Sequence, residues 1–199
     1  MQKESTELIA KQSTTDKAVF LLGIGISLMH IYFNILTVLP GLWQNSLHFS
    51  GFALLCVLLY PFSQKKEKDR SSLLLVLDIS LGVVAAAAAI YMISMEDAIY
   101  ARGVRLSNAE WIAGTILILS AIEFTRRTTG WIIPVLIILA LTYVGWWGSL
   151  LSGVFKFSGL TAETILFRSI YGDDGLFGNI ARISSSFVFM FILFGAFLL

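Results

Sequence analysis

Charge is scarce in this 199-residue chain: Asp, Glu, Lys and Arg make up 14% of it and hydrophobic residues 57%, against about 25% charged in an ordinary soluble domain. Too few polar side chains remain to cover a globular surface, so the medium that suits the chain is lipid. Cysteine is scarcer still. Cys56 stands alone, which excludes an intrachain disulfide framework and a zinc site built from the chain's own cysteines. The net charge is +1, and the concentrated basic face of a nucleic-acid-binding domain is missing, so no nucleic-acid partner is expected. The two histidines, His30 and His48, lie on separate apolar runs. There is no phosphate-cradling glycine loop, no His-Glu-x-x-His and no Gly-x-Ser-x-Gly. A general acid–base centre has little to build on, and an enzyme is not expected. No catalytic, cofactor-binding or metal-ligating residue is assigned, and the substrate-binding residues stay unknown.

Long apolar runs are what the chain does have. A helix needs about 20 mostly apolar residues to cross about 30 Å of hydrocarbon, because every backbone polar group must be paired inside it. Ala18 to Val38 carries no charge and stops at Pro40-Gly41. Trp43 to Phe62 has an aromatic residue at each end and closes on Tyr60-Pro61. Ser72 to Met95 carries one acid, Asp78, and an alanine run from Ala85 to Ala89, and Trp131 to Phe155 is again free of charge. The weakest run is the fourth, since only 12 residues separate Glu110 from Glu123. Ser107 and Glu110 nevertheless have the spacing of a capping box, and Gly130 suits the position after a helix end. The spacing predicts a helix of about 20 residues from Asn108, near 30 Å long. Ile183 to Leu199 is a sixth run of 17 residues that stops without a flanking charge or aromatic anchor at its C-terminal end, so the beginning of a longer polypeptide or a truncated product is expected. The expected fold class is all-α, a polytopic integral membrane bundle of about six transmembrane helices.

Lys and Arg in short connections mark the cytoplasmic side. Nine of the 14 share one side if all six runs cross: Lys3, Lys11, Lys17, Lys65, Lys66, Lys68, Arg70, Arg126 and Arg127. Arg102, Arg105, Lys156, Arg168 and Arg182 fall on the other. The N-terminus is therefore expected in the cytoplasm. The first run, 21 residues with no small-residue cleavage site after it, reads as a retained helix and not a signal peptide. Phe157 to Arg182 is too polar to cross. Thr161 can cap a short helix there, ending near Gly172, with Ala162, Leu166, Phe167, Ile170 and Tyr171 on one side. It either lies in the outer interface or packs on the bundle.

The stretch Glu-Phe-Thr-Arg-Arg-Thr-Thr-Gly-Trp-Ile-Ile-Pro, with Glu123, Thr125, Arg126, Arg127, Gly130, Trp131 and Pro134, resembles the junction in fused permeases of tripartite ATP-independent periplasmic (TRAP) transporters of the TAXI branch. His48 with Phe52-Ala53-Leu54-Leu55 through Leu59-Tyr60-Pro61, and Gly175 to Leu199 ending Phe-Ile-Leu-Phe-Gly-Ala-Phe-Leu, are similar too. The resemblance runs from about residue 45 onward, and the junction is its specific part. It implies a four-helix small domain over residues 1–128 and the start of a twelve-helix large domain over 129–199. It further implies sodium-coupled uptake of organic acids or amino acids across the inner membrane, delivered by a periplasmic substrate-binding protein of TAXI type. In such an elevator the small domain belongs to the fixed scaffold. The hairpins that hold sodium and the organic anion belong to the remainder of the large domain, past residue 199, so no transport residue carries over.

Asp78 is the one acid well inside a run. Intramembrane carboxylates are functional candidates, but its nearness to the cytoplasmic end favours hydration or pairing with a base from a neighbouring helix. His30 and Asn34, four apart on one face, read as interhelical hydrogen-bonding residues. Gly82 with Ala86, and Gly23 with Ser27, have the small-xxx-small spacing of close helix contacts. Arg126 and Arg127 set orientation or meet anionic lipid, and Glu123 pairs with Arg127 for about 0.3 kcal/mol if exposed. Trp43, Trp111, Trp131, Trp146 and Trp147 suit the two interfaces. Two other readings stay open: a self-contained membrane assembly or accessory protein without transport activity, and a small channel or intramembrane enzyme relying on Asp78 or His30.

Overall fold

The computed structural model describes residues 14–62 and 72–198, and no strand occurs among them. Six of the basic residues counted for topology, Lys3, Lys11, Lys65, Lys66, Lys68 and Arg70, lie outside the described residues, as does Leu199. Helix α1 (Thr14–Ile31) runs on through a π turn, Tyr32–Leu36, to the Pro40 corner. Helix α2 is Gly41–Leu59 and α3 is Ser72–Ser94. A short α4 (Glu96–Arg102) ends at Gly103, whose φ of +64° is open to glycine without strain. Helix α5 is Asn108–Thr129, α6 is Ile132–Gly145 and α7 is Ala162–Ile170. Finally α8 (Asn179–Ile183) passes through a second π turn, Ser184–Val188, into α9 (Phe189–Leu198).

Local chemistry sets most of these boundaries. Ser107 accepts the Glu110 amide while Glu110 reaches back to the Ser107 amide, the reciprocal box expected at the start of α5. Gly130, at φ +81°, closes the same helix as its amide bonds to the Arg126 carbonyl. Pro134 sits in the first turn of α6, where a missing N–H costs no helical bond. Thr161 caps α7 by accepting the Thr164 amide.

Among the described residues, four helical runs are long and apolar enough to cross a membrane: Thr15–Leu36, Gly41–Leu59, Ser72–Ser94 and Asn179–Leu198. Helix α5 has the length, 22 residues, but carries Glu110, Glu123, Arg126 and Arg127 and is less apolar. The fifth predicted run departs from expectation. Helix α6 has 14 residues, about 21 Å at 1.5 Å per residue, and the chain then turns back. Tyr143 donates its hydroxyl to the Phe155 carbonyl (2.8 Å), and the amides of Phe157 and Leu160 bond to the carbonyls of Gly148 (3.0 Å) and Val144 (2.9 Å). A Cβ on Gly148 would stand 2.5 Å from the Tyr143 carbonyl oxygen, so this reversal requires glycine. The last run is longer than its 17 apolar residues because Asn179 to Arg182 join the helix, giving 20 residues from Asn179 to Leu198.

The bundle centres on α2 and α3, which pair along their lengths; α1 and α9 lie on the α2 side, and α5 packs on α3 with α6 and α7 beyond it. Small residues permit the central contact. A Cβ on Gly82 would fall 2.7 Å from a Val57 methyl and 3.4 Å from the Ala53 carbonyl oxygen, and Ala85, Ala86, Ala88 and Ala89 are all buried beside it. Gly51 is similarly tight against Ile26. Gly23, by contrast, faces open space, so its small-xxx-small spacing with Ser27 serves no contact there. Met92, Leu117 and Ile170 are fully buried in one apolar cluster with Ala113 and Leu166. Helix α7 therefore packs on the bundle through Leu166 and Ile170, one of its two expected placements. Outward-facing Leu21, Leu28, Val76, Ile90, Phe191 and Phe197 are more than half exposed, the inside-out polarity of a helical membrane bundle.

Gly82→Val is expected to destabilise the protein by about 1–3 kcal/mol through overpacking against Val57, whereas Gly23→Val, with no neighbour to displace, stays within about 0.5 kcal/mol of wild type. Thermal unfolding in detergent micelles measures both.

Candidate functional site

Two polar constellations lie inside this apolar bundle. The first is charged and sits where α2 ends, α3 begins and α5 meets α6. Asp78, 2% exposed, receives Arg127 Nη1, 6% exposed, at 2.7 Å. The Phe62 amide donates to both carboxylate oxygens of Asp78, at 3.1 and 3.3 Å, and Arg127 Nη1 also reaches the Tyr60 carbonyl at 3.2 Å. Glu123 then takes Arg127 Nε at 2.8 Å and two nitrogens of Arg126 at 2.7 Å. Arg126 lies 5.6 Å over the Phe62 ring and 5.4 Å over Trp131. Two acids and two bases thus cancel in one corner. The expected pairing of Asp78 with a base of a neighbouring helix is present. The Glu123–Arg127 contact is a correction: it is no isolated surface pair, because Arg127 is buried and shared with Asp78.

The second constellation is neutral and joins α1, α2 and the last helix. His30 Nδ1 lies 2.8 Å from the Ile26 carbonyl, His30 Nε2 lies 2.8 Å from His48 Nδ1, and His48 Nε2 lies 3.3 Å from Ser184 Oγ. A carbonyl can only accept, so the proton positions follow in order. His30 carries its proton on Nδ1 and offers a bare Nε2; His48 donates Nδ1–H to it and accepts the Ser184 hydroxyl on Nε2. The His30 ring stacks on Phe189, with centroids 3.8 Å apart, and meets Phe33 at a tilt, 4.6 Å away. Around this chain, Asn34 donates to the Ser185 carbonyl at 3.0 Å, and Gln44 to Asn34 at 3.2 Å. Asn45 donates to the Phe177 and Gly178 carbonyls, at 2.7 and 3.1 Å, and accepts the Ser185 hydroxyl at 3.1 Å. Both π turns adjoin this seam, a placement such turns often have at functional sites.

Sequence reasoning placed His30 and Asn34 on one face and assigned them interhelical hydrogen bonds, which the structure contains. It kept the two histidines apart, on different runs. No local signal joins them, since their contact depends on how α1 folds back along α2 through the Pro40 corner. Among the described residues no three His, Cys, Asp or Glu side chains come together as metal ligands.

At the opposite end of α5, Glu110 is fully buried and receives Arg102. Its carbonyl accepts the Tyr171 hydroxyl at 3.3 Å, and Glu163 on α7 accepts the Leu106 amide at 2.7 Å. Burial first, then the neighbouring Glu110 carboxylate, holds the Tyr171 phenol well above its ordinary pKa, so it stays a donor. Trp43, Trp111, Trp131, Trp146 and Trp147 all lie at or near helix ends, and Trp43 donates to Glu96 at 2.9 Å. Comparison with protein-family models, curated proteins and solved structures finds no match for this chain.

Arg127→Met alone is expected to destabilise by about 3–5 kcal/mol, because it leaves the buried Asp78 without a cation, and Asp78→Leu by less, because Arg127 keeps Glu123 and the Tyr60 carbonyl. The double variant should lie within about 2 kcal/mol of wild type, and a double-mutant cycle of unfolding in micelles reads the coupling. Additive losses would mean that the two groups do not act as a pair.

Proposed function

We propose that the chain is the stationary membrane scaffold of a TRAP permease of TAXI type, with its N-terminus in the cytoplasm and its helices in the bacterial inner membrane. Residues 1–128 form the small domain and 129–199 open the large one. The observation that carries this reading is the build of the junction. Its charged residues, glycine, tryptophan and proline each have a fixed duty: Glu123 clamps two arginines, Arg127 locks to Asp78, Gly130 makes the turn, Trp131 lies against Arg126 and Pro134 is buried at the next helix start. A corner tied by buried ion pairs supports a part that holds its position while another part moves. Transport then belongs to the remainder of the large domain, which takes sodium and an organic acid or amino acid from a periplasmic substrate-binding protein. Lipid anchoring by the terminal tryptophans keeps the frame at constant depth.

The expected result in proteoliposomes is no sodium-driven uptake by the 199-residue chain alone. A TAXI-type large domain co-expressed with it should co-purify and, with a loaded binding protein, give uptake of radiolabelled dicarboxylate or glutamate. Uptake by the chain alone, or a large domain that never co-purifies, would contradict the scaffold reading, and the second outcome would favour a self-contained accessory protein.

A further inference from the structure

The neutral seam ends on a cavity. Ser184, His48 and Asn45, with Ser169 across from them, are the uncharged polar groups of a partly open space of about 720 Å³ lined mainly by apolar side chains of α2, α5, α6, α7 and α8, a size that suits a small organic ligand. No Lys or Arg is among the described residues that line it, and its one charged wall residue is Asp174.

What the polar side offers is set by the direction of the hydrogen-bond chain. Ile26 accepts from His30, His30 from His48 and His48 from Ser184, so the Ser184 hydrogen is committed to His48. The serine oxygen, which lines the cavity, keeps the capacity to accept. Asn45 has nothing left to donate, because its amide hydrogens go to Phe177 and Gly178 and its oxygen takes Ser185. The seam side thus offers acceptors, and the only further hydroxyl among the described lining residues is that of Ser169. A carboxylate ion would bring no donor to the seam, find no cation and face Asp174. A group with an O–H would lengthen the chain by one link, in a medium where linked hydrogen bonds reinforce one another.

We propose that this cavity is a binding site for an apolar molecule bearing one O–H donor, either an alcohol or an undissociated carboxylic acid, whose hydroxyl bonds to Ser184 Oγ and is oriented through His48 and His30. The site does not depend on the transport reading and stands or falls separately from it.

The chain's two histidines make the test clean. The full chain, labelled with ¹⁵N only in histidine and freed of any purification tag, is placed in lipid nanodiscs. The unliganded spectrum should contain two imidazoles, both protonated on Nδ1. The probes are 1-dodecanol, dodecanoic acid and methyl dodecanoate. Dodecanol, dodecanoic acid or both should shift the His48 Nε2 resonance, and which of them does so identifies the head group. The ester, with the same apolar chain and no donor, should leave it in place. Ser184→Ala should weaken the response roughly tenfold, as for one lost hydrogen bond, with the His30 Nδ1–H signal retained as proof that the fold persists. The alcohol–ester comparison on the wild-type chain decides the matter even if that variant does not fold. An ester that shifts His48 as strongly as the alcohol, no shift with any probe, or resting imidazoles protonated on Nε2 would each overturn the proposal.

Discussion

In hydrocarbon a buried polar side chain has no water as an alternative partner, and this requirement governs how the bundle is assembled. An unpaired donor or acceptor in such a medium costs about 1–3 kcal/mol, and an unpaired charge more. The buried polar residues His30, Asn45, Ser50, Asp78, Glu110 and Ser185 all have partners, most of them on another helix or beyond a turn. Among the described buried side-chain atoms, Ser46 Oγ alone lacks one. Apolar contact decides which helices can touch. Polar pairing decides where along their lengths they stop. The Asp78–Arg127 corner sets one end, the Glu110–Arg102 cap the other, and the histidine seam ties in the first and last helices between them.

The last helix shows how far this goes. Only 6% of its most apolar stretch is buried, so its place is not the product of a large apolar interface. It is held instead by Asn34, Asn45 and His48 reaching to Ser184, Ser185 and the Phe177–Gly178 backbone, with Phe189 stacked on His30. The remaining faces of α6 and α9 are apolar and uncovered, as lipid-facing or partner-facing surfaces of a membrane bundle are.

Much of the helical plan was legible because its signals are local. Pro40-Gly41, Tyr60-Pro61, the Ser107–Glu110 box, Gly130 and Thr161 each act within one turn of helix, and the structure has helix ends at all of them. The split of the run from Trp131 to Phe155 was not legible, since hydropathy alone does not reveal a reversal stapled by Tyr143 and permitted by Gly148. The π turns left no mark that apolar length could register. Side-chain partners were harder still. Asp78 and Arg127 are 49 residues apart, and His48 and Ser184 are 136 apart; such contacts follow from helix order and register, which no local pattern encodes. The sequence could say that Asp78 needed a base, because burial demands one, but not which base.

The most direct measurement of the pairing requirement is hydrogen exchange in nanodiscs on Asn45→Leu, which keeps the side chain's bulk and removes its three hydrogen bonds. The expected result is faster exchange confined to residues 177–188, with protection of α5 unchanged. Protection of 177–188 equal to wild type would mean that apolar contact alone seats the last helix, and the account given for this bundle would be wrong.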